Sequence, residues 1–198
     1  ELYNEGLRTL QIDDCTWGCL VDDNFIASFI EKSDRDKEVI RREFAERFLN
    51  INNRVFQNNP EDLVINTHVC RGNYASTWFG QGGYDKIADE LFGKEDVNAY
   101  YLEFDTERAG TFESLAKVSG DKKVVLGLIT SKNPTLEEKE SVIARIKEAS
   151  KYVPLDRLYL SPQCGFASTE EGNRLTEEEQ WAKLRFIKEI SDEVWGEN

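Results

Sequence analysis

Short apolar runs alternate along this chain with stretches whose apolar residues recur every three or four positions, and the two patterns together predict five strand-helix units. Thr9-Leu10-Gln11-Ile12-Asp13-Asp14 reads as a short strand closing on two acids. A loop through Trp17 and Phe25 follows. Ile40, Phe44, Phe48, Ile51 and Val55 then trace a helix, with Ser33 a candidate N-cap and Pro60 just past its end. Leu63 to Cys70 is the second strand, and the run Gly80-Gln81-Gly82-Gly83 leads into a helix over Tyr84 to Phe92. Ala99 to Phe104 is the third strand, a short helix around Thr111 to Ala116 comes next, and Lys123 to Thr130 is the fourth strand. Thr135 and Glu138 have the spacing of a capping box before a helix with Val142, Ile143, Ile146 and Ala149 as its stripe. Leu158 to Pro162 is the fifth strand, reaching Cys164. Thr176 and Glu179 form a second capping box, opening a helix whose stripe is Trp181, Leu184, Ile187, Ile190 and Val194.

Strands written as near-continuous apolar runs and separated by helices belong to a parallel sheet covered by helices, an α/β architecture. In such sheets the C-terminal strand ends meet at one rim, where ligands bind. The polar residues at those ends are therefore the candidates for chemistry.

Composition narrows the classes. With 25 Lys and Arg against 38 Asp and Glu, the 198-residue chain carries a formal charge of −13, which argues against nucleic acid and anionic membrane faces as partners. No apolar run approaches the roughly 18 residues of a membrane span and no signal peptide is evident, so a cytoplasmic location is expected. The four cysteines, Cys15, Cys19, Cys70 and Cys164, are too scattered for a disulfide scaffold and are expected to be reduced, with Cys15 and Cys19 as small buried apolar residues. There is no methionine, even at position 1. The sequence is therefore expected either to begin inside a longer protein or to omit modified residues.

His68, the only histidine, and Cys70 lie two apart at a strand end, so both side chains point to one side of the sheet. Glu103 lies near the end of the third strand, Cys164 follows the fifth, and Asp13 and Asp14 close the first. One imidazole, two thiolates and one carboxylate make a tetrahedral zinc set, the softness of the donors favouring Zn2+ over magnesium or calcium. Zinc with two thiolates and a carboxylate is already net −1, so the carboxylate is the most exchangeable donor and the site suits activation of an incoming thiol. The competing reading is a hydrogen-bonded histidine and ordinary buried thiols. Asp13 and Asp14 either cap the next turn or hold a substrate ammonium group. The run Gly80 to Gly83 lacks phosphate-loop spacing and is read as a turning loop, and the acidic stretches Glu137 to Glu140 and Glu177 to Glu179 as solvated surface.

The stretches LQIDD, THVCRGN, YYLEFDTERAG, VVLGLITSK and LSPQCGFAST, followed by GN and QWAKL, span nearly the whole chain. Through them it resembles the cobalamin-independent methionine synthase family, its C-terminal catalytic barrel and short single-domain relatives. The resemblance implies a (β/α)8 TIM barrel of which residues 1–198 form a single, partial domain, strands four to eight, with the first three strands absent. It implies zinc held by His68, Cys70, Glu103 and Cys164, Asp13 on the amino group of homocysteine, and methyl transfer to the homocysteine thiol to give methionine. The family's full-length enzymes carry a histidine after the fourth strand counted here, where this chain reads Ile129-Thr130-Ser131-Lys132. The methyl donor, folate or other, therefore stays open. So do a different thiol acceptor, a metal-free remnant without activity, self-association, and contacts of Arg71, Arg108 or Lys132 with an anionic group.

Overall fold

The computed structural model describes residues 1–30 and 34–196. Five strands form one sheet in the order of the sequence: β1 (Thr9–Asp13), β2 (Val64–Val69), β3 (Ala99–Glu103), β4 (Lys123–Ile129) and β5 (Leu158–Pro162). Every neighbouring pair is parallel. The register sets Asp13 beside His68 and His68 beside Tyr101, so these side chains share one face of the sheet. The opposite face carries Ile65, Val69, Tyr100, Leu102, Val124, Leu126 and Leu158, all buried in one hydrophobic core with residues of the helices. That is the α/β parallel architecture expected from the apolar runs.

The helices are α1 (Cys15–Leu20), α2 (Asp23–Ile30), α3 (Lys37–Val55), α4 (Ala88–Lys94), α5 (Lys139–Ala149) and α6 (Glu177–Trp195), with 3₁₀ turns at Tyr84–Lys86, Glu107–Ala109, Phe112–Lys117 and Leu155–Arg157. Several expectations are corrected. The stretch read as a loop through Trp17 and Phe25 folds as α1 and α2, because Asp14 accepts the Thr16 N–H and Asp22 the N–H groups of Asn24 and Phe25, giving two short helices their starts. Helix α3 is rotated from the expected stripe: Ile40 is buried, but Ile51 and Val55 are 52% and 63% exposed, and Arg41, Ala45 and Leu49 face inward. Arg41 earns its interior position by donating to the Leu20 carbonyl, Asp23 and Glu38. Trp181, placed on the apolar stripe of α6, is 48% exposed. Finally, Thr135 and Glu138 form no capping box. The Thr135 carbonyl accepts Lys183 Nζ at 2.7 Å and Glu137 accepts the Thr130 N–H at 2.8 Å, which holds residues 135–138 off the helix until Lys139. Glu137 is thus an ion-pair partner of the buried Lys183 rather than free surface.

The second capping box is present, with Thr176 and Glu179 bonding each other's backbone N–H. The N-cap of α3 is Asp36, which accepts from Glu38 and Val39; Ser33 lies outside the described residues. Cys15 is exposed and Cys19 half-buried, so Cys15 is not the small core residue expected.

Candidate metal centre

Four side chains from four places in the sequence converge at the C-terminal rim of the sheet. His68 sits at the penultimate position of β2 and Cys70 just after it, Glu103 closes β3, and Cys164 lies two residues past β5. One donor atom from each lies within 4.8 Å of every other. His68 and Glu103 are buried and the two cysteines half-buried, so the cluster is sheltered yet reachable.

The backbone explains why they meet. A side chain at Gly127 on β4 would come within 2.6 Å of both Gln163 Cα and the Leu102 carbonyl, so only glycine lets the end of β5 cross over β4. The register shift between Gly127 and Ile129 marks that bend, and it delivers Cys164 to the other three residues. On the opposite side, α1 approaches so closely that a Cβ at Gly18 would sit 2.2 Å from the Cys70 carbonyl.

Each donor is held. His68 Nδ1 lies 3.2 Å from the Tyr101 carbonyl, an acceptor that makes Nδ1 the protonated nitrogen and leaves Nε2 free, 3.5 Å from Cys164 Sγ. Cys70 Sγ accepts the Gly72 N–H at 3.3 Å and lies 3.9 Å from Cys164 Sγ. Glu103 accepts the Arg71 backbone N–H at 2.6 Å on Oε1 and Arg108 at 2.7 Å on Oε2. The contact between the two sulfurs holds Cys164 below the usual thiol range, while the same contact and burial push Cys70 up. Burial alone would lower His68, but the neighbouring Cys70, Glu103 and Asp13 raise it overall. An electron-rich cluster of this kind, with one imidazole, two sulfurs and one carboxylate, fits a borderline-soft divalent cation.

The other expected residues divide. Asp13 is exposed and lines a cavity of about 340 Å³ beside the cluster, with Gln11, His68, Tyr101, Cys164 and Ser168. Asp14 points the other way: it is buried, starts α1 by accepting the Thr16 N–H and accepts Asn52 Nδ2 at 2.7 Å, an arrangement that matches the capping alternative. Arg71 stacks 4.3 Å over the Tyr84 ring and donates to Tyr84 and the Gly82 carbonyl, and Arg108 is spent on Glu103, Asp105 and the Gly80 carbonyl. Both guanidinium groups are buried, and Arg71 Nη2 and Arg108 Nε have no hydrogen-bond partner among the described residues. Lys132 reaches over the rim to the Gly72 carbonyl and Asn73 Oδ1. The N–H groups of Gly80, Gln81 and Gly82 are donated to Arg71, Asp22 and Arg108, which leaves that loop no phosphate cradle.

Sequence reasoning passed over Asn73, Ser131 and Gln163. Ser131 donates its N–H to Gln163 Oε1 at 2.6 Å and its hydroxyl to the Gly165 carbonyl at 3.1 Å, so it brackets Cys164. The only available signal was their position inside or beside the strand-end motifs, where small polar residues read as ordinary loop.

A family model described as "Cobalamin-independent synthase, Catalytic domain" matches residues 2–191. The Bacillus subtilis (strain 168) proteins YxjG and YxjH are each 46% identical over 194 residues, covering 98% of this chain and 50% of theirs. The chain therefore spans about half the length of these curated relatives. A crystal structure of a candidate vitamin-B12 independent methionine synthase from Listeria monocytogenes is 38% identical and superposes with a TM-score of 0.72, over 98% of this chain and 51% of that one.

Proposed function

This chain belongs to the cobalamin-independent synthase catalytic-domain family, and from that premise we propose that it is the metal-bearing part of a zinc-dependent transferase that methylates a small thiol. The acceptor proposed is homocysteine, the product methionine. The observation that carries the reading is the convergence of His68, Cys70, Glu103 and Cys164 within 4.8 Å. These four would hold the ion, and its contribution when bound is to lower the pKa of the thiol so that the nucleophile is present as thiolate at neutral pH.

The chain's own residues do the rest. His68 keeps Nε2 unprotonated by donating Nδ1–H to the Tyr101 carbonyl. Glu103 is the donor best able to yield its place, because Arg71 N–H and Arg108 stand ready to keep its carboxylate solvated by protein when it moves. Asp13, free at the cavity wall, is the group we assign to a substrate ammonium, holding the thiol carrier at the rim. We further propose that the five strands are the last five of a (β/α)8 barrel, the exposed positions of Gln11, Asp13 and Tyr159 being those that line a closed barrel's interior.

The test is an assay of the complete protein, loaded with zinc, with homocysteine and a panel of donors including methyltetrahydrofolate and methylcobalamin. Methionine formation, with KM for homocysteine raised at least tenfold by Asp13→Asn, is the expected result. Zinc uptake without methionine from any donor would refute homocysteine as acceptor and turn attention to another thiol.

A further inference from the structure

The carbonyl of Gly165, the residue after Cys164, receives two donors from two different loops. Asn73 Nδ2 reaches it at 2.8 Å from the loop that follows Cys70, and Ser131 Oγ at 3.1 Å from the loop that follows β4. A carbonyl has two lone pairs, so this acceptor is saturated. Asn73 Nδ2 also reaches Ser168 Oγ, and its Oδ1 accepts Lys132. On the other side of Cys164, Gln163 Oε1 takes the Ser131 N–H, and the Ser131 carbonyl accepts Asn173 Nδ2 at 2.8 Å. Ser131 is fully buried. Cys164 is thus held at both chain neighbours as well as by the contacts of its own Sγ with His68 and Cys70, and Asn73 joins the carbonyl next to it to the Cys70 loop.

The strand register cannot do this work. Cys70 and Cys164 both lie beyond the last paired residues of β2 and β5, with two other strands between these. The nearest backbone ties are the Gln163 N–H to the Ile129 carbonyl on β4 and the Arg71 N–H to Glu103 on β3; each fastens one segment to a different strand and neither fastens one segment to the other, whereas a metal site tolerates only a few tenths of an ångström in donor spacing. We infer that Asn73 and Ser131 are positioning residues that fix the spacing of the two thiol donors by clamping the Gly165 carbonyl. The inference rests on the metal reading proposed above and goes beyond it, assigning a role to residues that touch neither ion nor substrate.

The experiment compares wild type with Ser131→Ala, Asn73→Ala, Asn73→Asp and a control, Asn53→Ala. The control loses an amide-to-carbonyl bond of the same kind, Asn53 to Lys94, together with the Asn53 acceptor of the Asp96 N–H, on the helical side of the molecule. Zinc affinity is measured by chelator competition, geometry by the visible and charge-transfer absorption of the cobalt(II)-loaded protein, and folding by circular dichroism. Asn73→Ala and Ser131→Ala should weaken zinc binding roughly 10–100-fold, the range for groups that orient metal ligands, and should broaden or shift the cobalt bands. Asn73→Asp keeps the acceptor for Lys132 but loses the donor to Gly165, so it should behave like Asn73→Ala. The control should match wild type. If wild type binds zinc and the three variants bind within twofold of it with unchanged cobalt spectra, the positioning role is wrong while the metal reading stands. If Asn73→Asp alone is normal, the Lys132 contact and not the Gly165 clamp is what matters, and the inference is overturned in that form. If wild type takes up no metal, the metal reading and this inference fall together. Should Asn73→Ala prove unfolded, Ser131→Ala, which removes one hydroxyl, decides the question alone.

Discussion

Glu95 is fully buried, accepting Asn52 Nδ2 at 2.7 Å and Trp17 Nε1 at 3.2 Å on one oxygen, while its other oxygen has no hydrogen-bond partner among the described residues. Burial pushes its carboxyl from 4.5 up to about 7, the hydrogen bonds from Asn52 and Trp17 opposing the rise. A carboxyl raised in the folded state binds its proton more tightly folded than unfolded, so its contribution to stability is complete below pH 4.5 and is lost as pH rises through 7. At roughly 1.4 kcal/mol per pH unit, the loss across that window is about 3 kcal/mol. Urea unfolding of metal-free protein should show it, and Glu95→Gln should flatten the difference between pH 5 and pH 8; parallel pH profiles for the two proteins would contradict it. Cys164→Ser makes a second residue-scale prediction. Replacing one soft donor should cost at least about a hundredfold in zinc affinity, and an unchanged affinity would remove Cys164 from the set. His68 and Cys70 were legible in the sequence because two-residue spacing at a strand end fixes a shared side, and Cys164 because it directly follows the fifth strand and so falls at the same rim. Glu95 was not, since nothing in its local sequence distinguishes a carboxyl that folding will bury.

Among the elements, α1 matters most to the site, since its Gly18 rests on the Cys70 carbonyl. Gly18→Ala would place a carbon 2.2 Å from that oxygen, so the helix or the ligand loop must shift. The expected cost is about 1–3 kcal/mol in urea unfolding, typical of overpacking, together with weaker zinc binding; full stability and affinity would show that α1 is free to move. At the far end of the chain, Thr176→Ala should cost α6 about 1 kcal/mol through the lost capping box. That box was visible in the sequence because both partners lie within one turn. The Thr135 and Glu138 pair has the same spacing and failed, because Lys183, 48 residues away from Thr135, claims the Thr135 carbonyl. The rotation of α3 has a similar cause: a hydropathy reading sends Arg41 outward, whereas long-range acceptors at Leu20 and Asp23 draw it in. Local patterns give the elements; which face turns inward is decided by partners far away in sequence.

The whole molecule is a single parallel sheet in which β3 is central and β1 and β5 are edges. Hydrogen exchange should follow that order, with amides of Ala99 to Leu102 slowest and those of Thr9 to Ile12 at least about a hundredfold faster, as the edge opens locally. Uniform protection across all five strands would mean that the edges are covered in solution. Among the described residues no helix is long and apolar enough to cross a membrane. The parallel arrangement and the rim that gathers the four donors followed from the alternation of apolar runs with helices, because parallel strands bring all their C-terminal ends to one side. The clamp around Gly165 did not, since it joins loops 92 residues apart through side chains that any loop could carry. Everything proposed for the chemistry depends on one property, that His68, Cys70, Glu103 and Cys164 hold a metal ion. The most direct test is zinc titration of carefully purified, metal-stripped protein, followed by metal analysis. About one zinc should bind per chain, with binding abolished or sharply weakened in Cys164→Ser. Less than about a tenth of a zinc per chain, with no uptake on titration, would contradict it.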